Sequence, residues 1–567
     1  MSSPQVADGL SIARGMPLSE EQGNGPLTLG GYLREVCIRF GPREAACMRA
    51  GDGQGMIRWT YDELWRHSVD VARALVACGV GQGTRVGVLS TNRLEFLSSL
   101  FGTALAGGVA ATLSTFSTPA ELEILLQQSA ISVLIFERSV LSKDFAEILC
   151  RLEPQIASAA PGELRSQRFP FLRHIAVIDS EAGRGAIEGW SAFRARGQIV
   201  TPALVEARAA QVAPSDPGVL FFSSGSTGKP KGILSAHRGV CLQLWRWQRW
   251  HNIPETVRAL SANGLFWSGS FAMFVGGTLS GGGTLVLQPT FQAEEALALL
   301  QQERVSLLNA WAHQWAQLEG APGWATADLS GLRYVSCPTP VTHHSTMKTG
   351  WAAPRGYGNS EAFTLIVAYP SGTPDEIIKS SFGVPTPGST VKVVDPLSGE
   401  NVPVGARGEI AIKGPTLMLG YVGTPLDETL DSEGFLRTGD GGSMDAQGRL
   451  YWEGRLNDII KTGGANVSPV EVDIVIARCP GVKAAQTVGV PDELLGEIVV
   501  TCIVPHAGAA LTEQIVRNFA REWLASYKVP RRVLFLAEGE IHLTGSAKIK
   551  AADLRQLAAE RFAREAH

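Results

Sequence analysis

The chain has 567 residues, too many for one hydrophobic core, so two or more domains are expected. With 45% hydrophobic residues, 18% charged residues and a formal net charge of −4, it has no basic excess that would make nucleic acid its main partner. The eight cysteines, at 37, 47, 78, 150, 241, 337, 479 and 502, form no Cys-x-x-Cys pair; they suggest neither a zinc site nor a disulfide framework and fit a reducing cytoplasm.

Met1 to Gly25 contains Ser, Gly and Glu but no apolar signal core, and part of it is expected to be disordered. Trp59-Thr60-Tyr61-Asp62-Glu63-Leu64 predicts a short strand, then a helix capped by Thr60 with Glu63 three residues on. That helix runs to Cys78 and stops at Gly79. Arg85 to Leu89 reads as a buried strand, Leu94 to Ala106 as a helix and Val109 to Leu113 as a strand. Pro119 to Gln128 follows as a helix and Val133 to Phe136 as a strand. This alternation predicts a parallel sheet covered on both faces, with ligands beyond the carboxyl ends of its strands. The uncharged runs Phe96 to Ala120 and Phe271 to Leu287 read as buried helix and strand, not as membrane spans. Residues 138–215, broken by Pro154, Pro161 and Pro170, read as an excursion of the same domain.

Leu220 to Gly232 reads LFFSSGSTGKPKG, a buried strand that turns abruptly into small hydroxyl residues and glycines. Free amides in such a turn form an anion-binding concavity, to which Lys229 and Lys231 add positive charge. The stretch is a phosphate cradle but not a Walker loop, because proline follows Lys229. The next helix carries Trp245, Trp247 and Trp250, expected to pack between layers with room for one at a pocket. No acidic residue lies between Ala259 and Gln292, so an ammonium-bearing substrate would go unpaired there. The adjacent His343 and His344 read as surface residues.

Further on stand Gly356-Tyr357-Gly358-Asn359-Ser360-Glu361 and Thr438-Gly439-Asp440. Between them, Gly408 to Gly414 reads as a structural strand with Glu409 exposed. Gly454-Arg455-Leu456-Asn457 leads into a segment ending at Val472. Ala485 to Val490 and Glu497 to Val504 read as strands and Leu511 to Leu524 as a helix, the pattern of a small α+β domain. Tyr527-Lys528-Val529-Pro530 and Leu543-Thr544-Gly545-Ser546-Ala547-Lys548 close the series.

Taken in order, these segments resemble the adenylate-forming superfamily of acyl-CoA synthetases, luciferases and peptide-synthetase adenylation domains. The resemblance covers roughly Trp59 to Arg555. It implies an α/β fold: a large N-terminal multi-layer domain with doubly wound sheets, residues 1–456, and a small mobile C-terminal α+β domain, residues 457–567. It implies ATP, Mg²⁺ and CoA. The phosphates would lie on Ser223, Ser224, Gly225, Ser226, Thr227, Gly228 and Lys231. Tyr357, Gly358, Asn359 and Ser360 would hold the adenine and the α-phosphate, Asp440 and Arg455 the ribose, and Thr227 and Glu361 the Mg²⁺. Lys548 falls in the slot of the catalytic lysine, acting with Lys231 and Glu361, although His542 and Ala547 replace the usual proline and glycine beside it. CoA would pass Lys461, Gly463 and Gly464, the acid would lie near His237, Trp267, Trp311 and Phe363, and Asn457 would be the hinge.

The implied function is ATP-dependent synthesis of an acyl-CoA from a hydrophobic carboxylic acid, in the cytoplasm, without a transmembrane segment. The alternatives are transfer of the acyl group to a carrier thiol, an amine or O₂, and a nucleotide-binding homologue without catalysis. Alkyl, aromatic and alicyclic acids all remain open, and a homodimer is compatible with the sequence.

Overall fold

A computed structural model describes residues 4–7, 9–51, 55–224, 230–336, 344–348, 350–379, 381–456, 460–467, 469–506, 508–537 and 551–565. Its central sheet has eight strands, in the order Ile187–Gly189, His174–Val177, Val133–Phe136, Arg85–Leu89, Val109–Leu113, Pro217–Ser224, Pro230–Ala236 and Gly420–Tyr421. The first six run parallel, Pro230–Ala236 pairs antiparallel with the sixth, and Gly420–Tyr421 pairs antiparallel with Pro230–Ala236. The inner strands are nearly continuous Val, Leu, Ile, Ala and Phe, as strands covered on both faces must be. Alternation sends Val86, Val88 and Ala110 into one core and Leu89, Val109, Ala111 and Leu113 into the other.

The covering helices start where the sequence places them. Tyr61–Ala77 and Pro119–Ser129 each open with a reciprocal capping box, Thr60 with Glu63 and Thr118 with Glu121. A second six-stranded sheet runs Tyr334–Ser336, Leu307–Asn309, Arg258–Ser261, Thr284–Leu287, Glu44–Arg49 and Met56–Thr60, parallel except for its last pair. Between the layers lies the helix His237–His251, buried along most of its length. Trp245, Trp247 and Trp250 are each at most 4% exposed, as packing between layers requires.

Gln5–Val6 and Ile12–Arg14 are strands that extend an antiparallel sheet through Thr390–Val394, Gly408–Lys413, Leu436–Met444 and Leu450–Arg455. The segment is also held by charge. Arg246, almost without exposure, donates to Glu21 at 2.8 Å, and Arg249 does the same. Burial works against the Glu21 carboxylate, but the two guanidiniums outweigh it and hold its pKa low. No local pattern in residues 1–25 announces a partner 225 positions away.

The small carboxy-terminal domain has a five-stranded sheet of Ile460–Thr462, Ala465–Val467, Val482–Asp492, Gly496–Pro505 and Arg532–Phe535. Helices Pro469–Ile476, Glu513–Trp523 and Ala551–Glu565 pack on it, and its two cores draw on residues from 460 onward alone. No helix among the described residues is long and apolar enough to cross a membrane. His344, expected at the surface, is buried; its ring bonds Thr346 at 2.9 Å and the Trp324 carbonyl at 2.8 Å. His343 lies outside the described residues.

Two more histidines are enclosed. His251 is buried against Trp247, and His237 accepts the Leu29 amide at Nδ1. Burial pushes both imidazoles down to about 4. The unfolded chain takes up protons at these rings from near pH 6.5 downward, and the folded chain only near pH 4. Their stabilising contribution is therefore intact above about pH 6.5 and is lost as pH falls, by roughly 2 kcal/mol per ring at pH 5. Melting temperatures measured from about pH 7.5 to 5 should fall accordingly. His237→Gln and His251→Gln should each flatten the slope, and an unchanged slope in both would contradict this account.

Candidate active site

The phosphate segment is a hairpin. Pro217–Ser224 and Pro230–Ala236 pair antiparallel, with Ser223 opposite Lys231 and Ser224 opposite Pro230. The first strand also lies parallel to Val109–Leu113, so it ends, at Ser224, on the carboxyl edge of the sheet. Ser223 and Lys231 line a cleft of about 1240 Å³. Gly225, Ser226, Thr227 and Gly228 lie outside the described residues, as do Asn457 and Lys548; for Ser224 the backbone alone is described.

Across the cleft, Arg355–Asn359 runs into a short helical turn, Ser360–Ala362, capped by the Asn359 side chain, which accepts the Ala362 amide at 2.9 Å. Gly358 is required here, because a Cβ would collide with the Thr364 carbonyl. Tyr357 donates its hydroxyl to Asp440 Oδ2 at 2.7 Å, and Asp440 pairs in register with Arg455 on the neighbouring strand. Tyr357, Gly358, Asn359, Ser360, Glu361 and Asp440 all line the same cleft as Ser223 and Lys231. The Arg455 side chain is not described, but its backbone position beside Asp440 is.

Glu361 accepts the Tyr421 hydroxyl at Oε1, 2.7 Å away, while Lys231 sits 4.8 Å over the Tyr421 ring. Tyr421 thus orients both charged groups. No local motif marks it, since it arrives through the short strand at the sheet edge. The second oxygen of Glu361 has no hydrogen-bond partner among the described residues, and a hard, cleft-facing oxygen suits Mg²⁺. Glu409, expected to be exposed, is buried instead. It pairs with Arg437 and accepts the Gly439 amide at 2.9 Å. Gly439 has φ +70°, so Glu409 fixes the left-handed turn that presents Asp440.

The small domain closes the far side. Its hairpin, Ile460–Thr462 and Ala465–Val467, turns through Gly463 and Gly464 at φ +55° and +80°. A Cβ on Gly464 would run into the Trp311 ring, so the hairpin touches the large domain there. Lys461 holds its amine 3.2 Å from the centre of the Trp452 ring. Lys461, Gly463 and Gly464 all line the cleft, and Arg517, Arg521 and Arg531 line it from the same domain.

Docking is polar and aromatic together. Tyr527 packs its ring against Trp267 and Phe116 at 6.0 and 6.4 Å. Lys528 bonds Glu471 of its own domain at 2.6 Å and Glu121 of the large domain at 3.2 Å. Burial alone would lower the Lys528 pKa, but the charges around it overcome that and raise it.

The acid-pocket assignment divides. Trp267 and Trp311 line the cleft, as does Trp247. His237 and Phe363 do not. His237 opens its helix facing Leu29 and has no exposure. Phe363 adopts a left-handed conformation, φ +54°, which turns its ring inward against Phe221 at 5.4 Å. Spacing in the sequence carries no sign of either turn of direction.

Residues 34–422 match the family model of the AMP-binding enzyme, and residues 471–548 match that of the AMP-binding enzyme C-terminal domain. The chain belongs to the AMP-binding enzyme family. The feruloyl-CoA synthase of Amycolatopsis sp is 32% identical over 503 residues, 88% of this chain and 93% of that protein. The mitochondrial medium-chain acyl-CoA ligase ACSF2 of Danio rerio is 28% identical over 554 residues, 93% of this chain and 88% of the relative. Among solved structures, the amide bond synthetase McbA from Marinactinospora thermotolerans matches with a TM-score of 0.71 at 25% identity, covering 93% of this chain and 99% of that one.

Lys528→Met would leave Glu121 and Glu471 buried without their cation, at a cost of about 3 kcal/mol. Denaturant melts and limited proteolysis should show the small domain loosened, and Lys528→Arg should restore part of the loss. A melt of Lys528→Met that overlays the native one would contradict the pairing.

Proposed function

We propose that this chain joins a hydrophobic carboxylic acid to CoA through an acyl-adenylate. It is an AMP-forming acid–thiol ligase of two domains, divided near residue 456, with Asn457 as the hinge. The observation that carries this reading is one cleft into which Ser223, Lys231, Tyr357, Glu361 and Asp440 project from the large domain and Lys461 to Gly464 from the small one.

In the first step, a carboxylate oxygen of the acid attacks the α-phosphorus of ATP. The bond from that phosphorus to the bridging oxygen breaks, and pyrophosphate leaves with the electron pair. The two reactants are both anions, so the work is charge neutralisation and alignment. Lys231 and the hydroxyls of the hairpin hold the β- and γ-phosphates, and Ser360 holds an α-phosphate oxygen. Asp440 accepts the ribose hydroxyls with Arg455 beside it, and Tyr357 fixes the Asp440 carboxylate by its own hydrogen bond. Mg²⁺, held by Glu361 and Thr227, would supply positive charge next to the phosphates. Lys548 swings in to bridge the carboxylate and the α-phosphate.

In the second step the CoA sulfur, having lost its proton, attacks the acyl carbon, forms the thioester and expels AMP. Gly463 and Gly464 supply backbone without side chains where the pantetheine arm passes, and the contact of Gly464 with Trp311 suits this step. Arg517, Arg521 and Arg531 at the cleft favour an acceptor that carries phosphates over an uncharged amine. The seven described cysteines are all unpaired, which supports a reducing cytoplasmic setting.

A panel of acids assayed for AMP release with and without CoA tests the reading. AMP formation should require both acid and CoA. Lys548→Ala should reduce adenylation by about 10²-fold or more while ATP still binds, and Asp440→Ala should weaken ATP binding itself. Release of ADP, or turnover of Lys548→Ala equal to the native rate, would overturn the mechanism.

A further inference from the structure

The wall of the cleft that faces the acid is built on an unusual helix. Ser268–Ser270 begins as a single α-turn and passes directly into the π-helical stretch Phe271–Gly276. Such stretches are rare and often found at functional sites. Phe271 and Ala272 are buried behind the wall, whereas Trp267, Gly269 and Met273 are partly exposed and line the cleft, together with the nearly buried Ser268 and Ser270.

Gly269 has neither of the usual reasons to be glycine. Its φ is not in the left-handed region, and a Cβ built on it would meet nothing within 4 Å. It therefore leaves room in the cleft. Opposite the same wall stands Asn309, at the end of the strand Leu307–Asn309 and only 9% exposed. Its amide donates to the Met273 thioether at 3.6 Å. Sulfur of this kind is a weak acceptor, and the donor has no oxygen partner among the described residues. The neighbouring Gln314 differs: it accepts the Trp311 amide and donates to the Ala262 carbonyl, both at 2.9 Å. Gln314 is committed to the protein, while Asn309 holds a donor in reserve.

The charged side chains lining the cleft include Lys231, Glu361 and Asp440 on the nucleotide side and Lys461, Arg517, Arg521 and Arg531 from the small domain. None of the residues that line it from the stretches 262–273 and 309–314, which carry Gly269 and Asn309, is charged; Trp267, Met273 and Trp311 supply apolar surface there, and Ser268 and Ser270 add hydroxyls. A plain alkyl tail laid along this wall would bury the Asn309 amide against methylene groups, which costs about 1–3 kcal/mol. Flat rings, in contrast, match indole faces and edges.

We propose that the acid bears a ring or ring system seated over Gly269 against the indoles of Trp267 and Trp311, with an oxygen remote from the carboxylate that accepts the Asn309 amide. This rests on the acyl-CoA synthetase reading above. The substrate class is thus an oxygen-substituted aromatic or alicyclic acid, with Asn309 and Gly269 as the residues that select it.

The test compares kcat/KM for CoA-dependent AMP release from phenylpropanoic acid, its para-hydroxy and para-methoxy derivatives, octanoic acid, dodecanoic acid and propanoic acid. The native enzyme should prefer the oxygenated ring acids to the unsubstituted one by at least about 10-fold, as a buried donor otherwise left with only a thioether dictates. Asn309→Leu should bring that ratio close to one, while Met273→Leu, which keeps the donor, should retain it. Gly269→Leu should lower the ratio of ring acid to propanoic acid by at least about 10-fold. Better turnover of octanoic or dodecanoic acid than of any oxygenated ring acid by the native enzyme would overturn the proposal. So would an undiminished ratio in Asn309→Leu. If no acid gives CoA-dependent AMP, the synthetase reading itself falls. The same acid series measured by calorimetric titration then decides the pocket, and equal affinities for oxygenated and plain rings would sink it.

Discussion

Lys528 is a cation with almost no access to water, and the joint between the two domains depends on it. One amine serves two carboxylates, Glu471 within its own domain and Glu121 across the interface. Glu121 is also the third residue of a capping box. Its Oε2 accepts the Thr118 amide, and its Oε1 accepts both Lys528 and the Ala525 amide. A device that ends a helix locally therefore also receives the other domain. Buried ion pairs are poor sources of net stability but costly to leave half-made. Here each member keeps a partner if the domains part: Lys528 retains Glu471, and Glu121 retains the start of its helix. The interface can be specific when closed without stranding a bare charge if it opens.

Much of this architecture could be read from the residues, and the reasons are local. Strands covered on both faces announce themselves as unbroken apolar runs, as at Val133–Phe136. Thr60 with Glu63 marks a helix start by side-chain reach alone. The hydroxyl and glycine run after Phe222 reads as a phosphate cradle from its residue types alone, whereas the Tyr357 and Asp440 segments take their expected roles only from the family resemblance. Their meeting was implied by family resemblance and not by spacing; it depends on the register that sets Asp440 opposite Arg455.

What stayed hidden depends on direction or on distant partners. His237 and Phe363 fall at positions where the backbone turns, so their neighbours in sequence do not say which way they point. Glu409 looks like an exposed strand residue until Arg437 and the Gly439 amide are brought to it. The amino-terminal strands have no pattern of their own and exist because an open sheet edge and a buried arginine await them. Tyr421 and Trp452 show the same limit: each is ordinary in sequence and acquires meaning from the lysine beside it.

The distribution of charge along the cleft follows from the chemistry that must occur there. A triphosphate and a carboxylate repel each other, so cations and donors belong where they meet, and Lys231 and Glu361 are held in place by one tyrosine. The acid's far end needs the opposite environment. A fixed charge there would require a permanent counter-ion on the substrate, and a fully apolar wall would accept any tail of the right length. A neutral wall that includes an under-used amide lies between these limits: it tolerates apolar bulk and discriminates by an oxygen placed to meet that amide. Selectivity of that kind is set by the cost of leaving the donor unpaired, and it leaves the anhydride-forming end of the cleft undisturbed.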